Sequence, residues 1–174
     1  MQPARLFSSL AFLVAAPLVT APVASAQQPA APAAAPIPAP ILSAHTVFLA
    51  NGGADAVSGE AFKKAGQTNE PYASVYAALQ SWGHWQLVSS PDAADLILTV
   101  RFTAPVADYA NGTPLSYTPQ LDLSLTDTKT HTQLWVVTEP FKGAFRKATW
   151  DKNYADGIAG LITQLKALVT PAAS

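Results

Sequence analysis

The chain has 174 residues, of which 49% are hydrophobic and only 12% charged, with a formal net charge of −1 and no cysteine. That balance excludes a nucleic-acid surface of the usual kind, because a phosphate backbone asks for clustered Lys and Arg. The only basic doublets are Lys63-Lys64 and Arg146-Lys147, which read as solvated surface. The missing cysteine excludes disulfides, a thiol nucleophile and lipid attachment through a cysteine, so stability must come from a packed core.

The chain opens with Arg5, an apolar run from Leu6 to Val19, and the small-x-small stretch Ala24-Ser25-Ala26. This is the pattern of a secretory signal peptide over residues 1–26. A retained membrane anchor is the rival reading, and Pro17, Pro22 and the small-residue ending favour cleavage. The expected product is exported to the periplasm or medium, with no stable membrane anchor after cleavage. Residues 27–40, QQPAAPAAAPIPAP, have neither core side chains nor a full set of N–H groups, and read as a semi-extended Pro/Ala-rich linker. A single domain is expected over residues 41–170.

Its first element is a strand over residues 44–50, with Val47 and Leu49 on one face and Phe48 and Ala50 on the other. Two apolar faces suggest an inner strand covered on both sides, ended by Asn51-Gly52-Gly53. Residues 54–68 show weak periodicity, with one short helical turn near residues 60–64. Gly59 to Gly66 is not followed by Lys-Ser or Lys-Thr, so a phosphate loop is not supported.

A helix is expected from Asn69 or Glu70, with Pro71 in its first turn, Tyr72, Val75, Tyr76, Leu79 and Trp82 at helical spacing, and Gly83 as its stop. A short strand follows at Trp85 to Val88, and the interval from the first strand allows a parallel crossover. After the Pro91 turn, bracketed by Asp92 and Asp95, comes the clearest element of the chain. Leu96, Leu98, Val100 and Phe102 alternate on one face of a strand. The short interval before it suggests that it runs antiparallel to the preceding strand.

Residues 103–116, with Pro105, Asn111-Gly112 and Pro114, read as an irregular surface loop. Tyr117, Leu121, Leu123 and Leu125 then alternate with polar residues, and a turn at Asp127-Thr128-Lys129-Thr130 leads into residues 133–139, making a β-hairpin. The last element is a helix from about Thr149, with Thr149 as its cap. Its apolar stripe is Trp150, Tyr154, Ile158, Leu161, Ile162, Leu165 and Leu168. The fold class is therefore α+β, an α/β sandwich. It has a single mixed sheet of about five strands and two long helices on one face, in the order β-α-β-β-β-β-α.

Several short motifs carry a resemblance. They are Thr46-Val47-Phe48-Leu49, the helix ending in Trp82-Gly83, Trp85-Gln86-Leu87-Val88, Ala93-Ala94-Asp95-Leu96-Ile97-Leu98, and the hairpin from Leu121 to His131. Together they resemble small bacterial envelope modules typified by the N-terminal domain of the Tol system's propeller protein and by curli-secretion and penicillin-binding-protein activator lipoproteins. The chain departs from that pattern in lacking a lipid-attachment cysteine and in having His131 where the hairpin usually carries glycine. The resemblance implies a binding or assembly part of the cell envelope, not an enzyme.

Signals for chemistry are sparse. His45, His84 and His131 lie far apart with no short ligand spacing, so neither a metal nor a cofactor is expected. No Gly-x-Ser-x-Gly elbow and no Ser-x-x-Lys motif occur. Asp92 with Asp95, and Asp108 with Asp122, are nominal carboxylate pairs, best read as turn and surface residues. Trp82, Trp85, Trp135 and Trp150 could join Tyr109 and Tyr117 in a stacking platform, with core packing the simpler role for Trp82, Trp135 and Trp150. The expected function is a non-catalytic exported module that binds a protein or glycan partner in the envelope through Asp108, Tyr109, Asn111 and Tyr117. A secreted hydrolase with an unrecognised carboxylate site is the alternative.

Overall fold

The computed structural model describes residues 35–55 and 69–170. The expected signal peptide, the first part of the linker, the turn near residues 60–64 and the glycines of the rejected phosphate loop lie outside the described residues.

A short helix α1 (Ala39–Ser43) precedes strand β1 (Thr46–Ala54). Helix α2 (Glu70–Trp82) and the two-residue strand β2 (Gln86–Leu87) follow, then a single 3-10 turn (Pro91–Ala93) and strand β3 (Leu96–Thr103). Strands β4 (Val106–Ala110), β5 (Thr113–Tyr117), β6 (Gln120–Asp127) and β7 (Gln133–Pro140) lead to helix α3 (Lys147–Val169). Five strands form a mixed sheet in the order β2-β1-β3-β6-β7, and β4 pairs with β5 in a sheet of their own. The α+β class, the mixed sheet and the two long helices are as expected.

Period-two patterning builds the core. Leu96, Leu98, Val100 and Phe102 of β3 lie beside Leu121, Leu123 and Leu125 of β6, all essentially buried. The helices cover this face, α2 over β1 and β3 and α3 over β6 and β7. Helix α2 starts at the Pro71 signal and stops at Gly83, whose φ of 65° is the left-handed cap that glycine adopts without strain. Helix α3 buries Tyr154, Ile158, Leu161, Ile162, Leu165 and Leu168. Its sequence also provides Gly157, where a Cβ would come within 3.1 Å of the Phe141 ring. The end of the expected linker takes part: Ile37 packs on the core, and Ala39 and Pro40 form the start of α1.

Several expectations need correction. Strand β3 does not run antiparallel to β2, because both pair in parallel with β1, on its opposite edges. Because β2 is only two residues long, the chain has little distance to return before starting β3. It crosses at the start of β1, where the Asp95 carboxylate accepts from the backbone N–H groups of His45 (2.9 Å) and Thr46 (3.0 Å) and from Thr46 Oγ1 (3.0 Å). Asp95 thus satisfies the entry to β1, not only its own turn. Strand β1 is an inner strand, but its second face is not fully covered, and Phe48 stays half-buried.

The Asn51-Gly52-Gly53 trio does not end β1. It forms an irregularity between Asn51 and Ala54, with Gly53 at φ 72° and Gly52 pressed so close to β3 that a Cβ would lie 2.9 Å from the Val100 carbonyl oxygen. Helix α3 begins at Lys147, with Arg146 before it, so Thr149 lies inside the first turn and caps nothing. At the β6–β7 turn His131 has φ 54°, the left-handed conformation that glycine favours. The sequence departure noted there is a real conformational demand.

The β7 edge is partly closed. Gln164 of α3 donates to the Thr138 carbonyl oxygen at 3.3 Å, so that carbonyl faces away from β6. Two residues on, in the same alternation, Pro140 has no N–H to offer.

Candidate functional site

Residues 103–116 are not an irregular loop. They hold most of a two-stranded ribbon, β4 with β5, in register at Val106↔Tyr117, Asp108↔Ser116, Tyr109↔Pro114 and Ala110↔Thr113. Asn111 (φ 52°) and Gly112 (φ 78°) form its tip. Two consecutive left-handed residues make the tight turn whose twist matches a β-hairpin, and Asn-Gly is the pair that adopts it most readily. Tyr117 belongs to this ribbon and not to the buried strand that follows it. The leucines of β6 are buried, whereas Tyr117 is 42% exposed.

The ribbon prolongs the β3–β6 pair beyond its last rung, Thr103↔Gln120. Pro105 and Pro119 stand on its two legs and remove one ladder donor each, which separates the two sheets. The base is tied by Thr118 N–H to the Pro105 carbonyl (3.0 Å) and by Ala104 N–H to Asp55 Oδ2 (2.8 Å). Beyond that base, Tyr109 is 60% exposed and Leu115 65%. Asp108 is the only charged residue between Pro105 and Thr118, and its carboxylate accepts from the Tyr109 N–H at 2.8 Å.

The structure thus brings Asp108, Tyr109, Asn111 and Tyr117 onto one ribbon. Leu115, which sequence reasoning missed, joins them. An isolated leucine between Pro114 and Ser116 gives no signal until the strand is known to stand clear of the core.

The other candidates fall elsewhere. Asp122 lies on β6, on the main sheet, and accepts from Thr103 Oγ1 (2.8 Å), Thr138 Oγ1 (2.8 Å) and Gln120 Nε2 (3.2 Å). It is a cross-strand clasp, separated from Asp108 by the proline break. The hydrogen bonds from His45 and Thr46 hold the Asp95 carboxyl below its usual range, and Asp92 sits in the 3-10 turn. Asp127, buried at the β6–β7 turn, is held low by hydrogen bonds from Thr130 and Lys129. Burial pushes the Tyr154 phenol up to about 12.

The tryptophans do not join the ribbon tyrosines. Trp85 is buried, and Trp82, Trp135 and Trp150 are half-buried against the core. Trp150 meets Phe141 edge-on at 5.5 Å, and Trp82 stacks on His84 at 4.8 Å. Among the described residues no three of His, Cys, Asp and Glu are grouped to hold a metal ion. No helix among them is long and apolar enough to cross a membrane.

No protein-family model and no curated protein matches the chain. Solved structures similar to it include a DUF4136 family protein from Bacteroides thetaiotaomicron (12% identity, 76% of this chain and 92% of that one, TM-score 0.45). A PelC dodecamer from Paraburkholderia phytofirmans is similar at 12% identity over 70% of this chain and 86% of that one, with TM-score 0.41. Lipoprotein GNA1162 from Neisseria meningitidis is similar at 12% identity over 71% of this chain and 99% of that one, with TM-score 0.39. A bacterial lipoprotein is thus among the similar structures, in keeping with the coarse resemblance to small bacterial envelope modules.

Proposed function

We propose that this chain is a non-catalytic module of the bacterial cell envelope that holds a protein or glycan partner through the β4–β5 ribbon. One observation carries the reading: a ribbon with a single charge stands outside the core and exposes Tyr109, Leu115 and Tyr117. A two-stranded ribbon is marginal in water by itself, and exposed apolar side chains on such an arm gain most by being covered. Tyrosine suits the purpose, since it offers large area at low entropy cost and keeps a polar tip. The export signal read in residues 1–26 supports the envelope part of this reading, as a periplasmic or released protein. The motif resemblance to Tol-propeller, curli-secretion and activator modules belongs to the same reading.

No observation favours the hydrolase alternative. Asp95 and Asp122 are each committed to several structural hydrogen bonds, and depression of Asp95 is the opposite of what a general acid needs.

The test is a photo-crosslinking residue placed at Leu115 in the exported protein and, as a control, at Lys152 on the exposed side of α3. A discrete adduct from envelope material at Leu115 alone is expected. Equal labelling from both positions, or none from Leu115, contradicts the reading.

A further inference from the structure

A second surface lies at the β2 edge of the main sheet and is independent of the ribbon. Strand β1 has nine residues, whereas β2 covers only Thr46 and Val47. Gln86 N–H donates to the His45 carbonyl (2.9 Å) and Val88 N–H to the Val47 carbonyl (3.0 Å), while the Thr46 carbonyl faces β3 and accepts from Asp95 N–H. The alternation therefore turns the backbone groups of Leu49 and Asn51 toward the β2 side. There the described chain has already left the sheet for the turn at Ser89 and Ser90.

Beside this unfilled edge runs a groove of about 670 Å³, lined among others by Phe48, Tyr72, Tyr76, Leu87, Val88 and Ala93. Tyr72 and Tyr76 stack at 6.2 Å along one wall, and Tyr76 is 38% exposed. Among the described residues no charged side chain lines the groove.

We infer that this edge takes up an extended, uncharged peptide segment of a partner protein as an added strand continuing the line of β2. The backbone of Leu49 and Asn51 provides the ladder, and the tyrosine wall covers alternate apolar side chains. Both halves of the inference come from the site. An edge with outward N–H and C=O groups is completed by an extended backbone, which alone offers donors and acceptors at strand spacing. A groove without charge gives no compensation for burying a charged side chain, so the segment is neutral.

The probe is a capped hexapeptide of alternating threonine and valine, titrated into the isotopically labelled mature protein while amide resonances and hydrogen exchange are followed. Saturable shifts centred on Leu49 and Asn51 are expected, with their exchange slowed at least tenfold. An otherwise identical peptide methylated at alternate backbone nitrogens should lose that effect in one of its two registers, and Tyr76→Ala should weaken binding about fivefold. Tyr109→Ala should leave it unchanged, which separates this site from the ribbon.

Four outcomes overturn the inference. They are no shift at millimolar peptide, equal binding of both methylated registers, strong protection of the Leu49 amide in the protein alone, and the same shifts produced by a chitin oligosaccharide but not by the peptide.

Discussion

The β3–β6 pair and the β4–β5 ribbon are two lengths of one hairpin, and they differ in what their side chains meet. On the main-sheet side of Pro105 and Pro119, alternate residues of both strands are leucine, valine or phenylalanine, buried under α2 and α3. On the far side the alternation dissolves into Ala, Asp, Asn, Thr and Ser with isolated aromatics, and no helix of the described residues covers them. Backbone pairing is common to both, so pairing does not decide stability here. Burial does, and the length that is free of the core is also free to make contacts.

The largest effect should come from the buried length. Leu123→Ala, between Val100 and Val137 on neighbouring strands, should cost about 3 kcal/mol in chemical denaturation, since its side chain is fully enclosed and leaves a cavity. Gly52→Ala should cost about 2 kcal/mol, because the new Cβ meets the Val100 backbone oxygen, which cannot swing aside.

Acid should act on the same core through Asp95. Its folded-state pKa is depressed, so its contribution is present above the ordinary carboxylate value near 3.9 and is lost as pH falls through the lower folded value. Denaturation midpoints measured between pH 5 and pH 2 should therefore fall less steeply in Asp95→Asn than in the parent. An unchanged slope would remove Asp95 from the account of the β1 entry.

The smallest stability effect belongs to the ribbon. Gly112→Ala forces a Cβ onto a residue at φ 78°, yet nothing lies within 4 Å of that Cβ. The strain of roughly 1 kcal/mol should fray the tip, visible as faster hydrogen exchange at Tyr109 and Ala110, with little change in the global midpoint.

How much of this was legible follows the same division. Strand β3, helix α2 with Pro71 and Gly83, and the stripe of α3 are written as periodicity and stops, because burial on one face enforces them. The ribbon carried a strong local sign in Asn111-Gly112, but Pro105, Pro114 and the lack of alternation obscured its strands, since side chains facing water on both sides need no pattern. Tyr117 was drawn into the β6 run for the reverse reason: a tyrosine near three leucines mimics the period of a buried face. The orientation of β3 relative to β2 depended on which edge of β1 each would take, which no local pattern records. Asp108, Tyr109, Asn111 and Tyr117 stand out as contact candidates by composition and loop position. Leu115 does not, because its exposure is a property of the ribbon and not of its neighbours in sequence.

The contact role of the ribbon is tested most directly by Tyr109→Ala, measured for unfolding free energy and for capture of partners from envelope extracts alongside the parent protein. The expected result is stability within about 0.5 kcal/mol of the parent together with weakened capture, as for an exposed side chain that matters only in a complex. Loss of the fold would make Tyr109 a core residue, and undiminished capture would place the contact surface elsewhere; either result contradicts the proposed function.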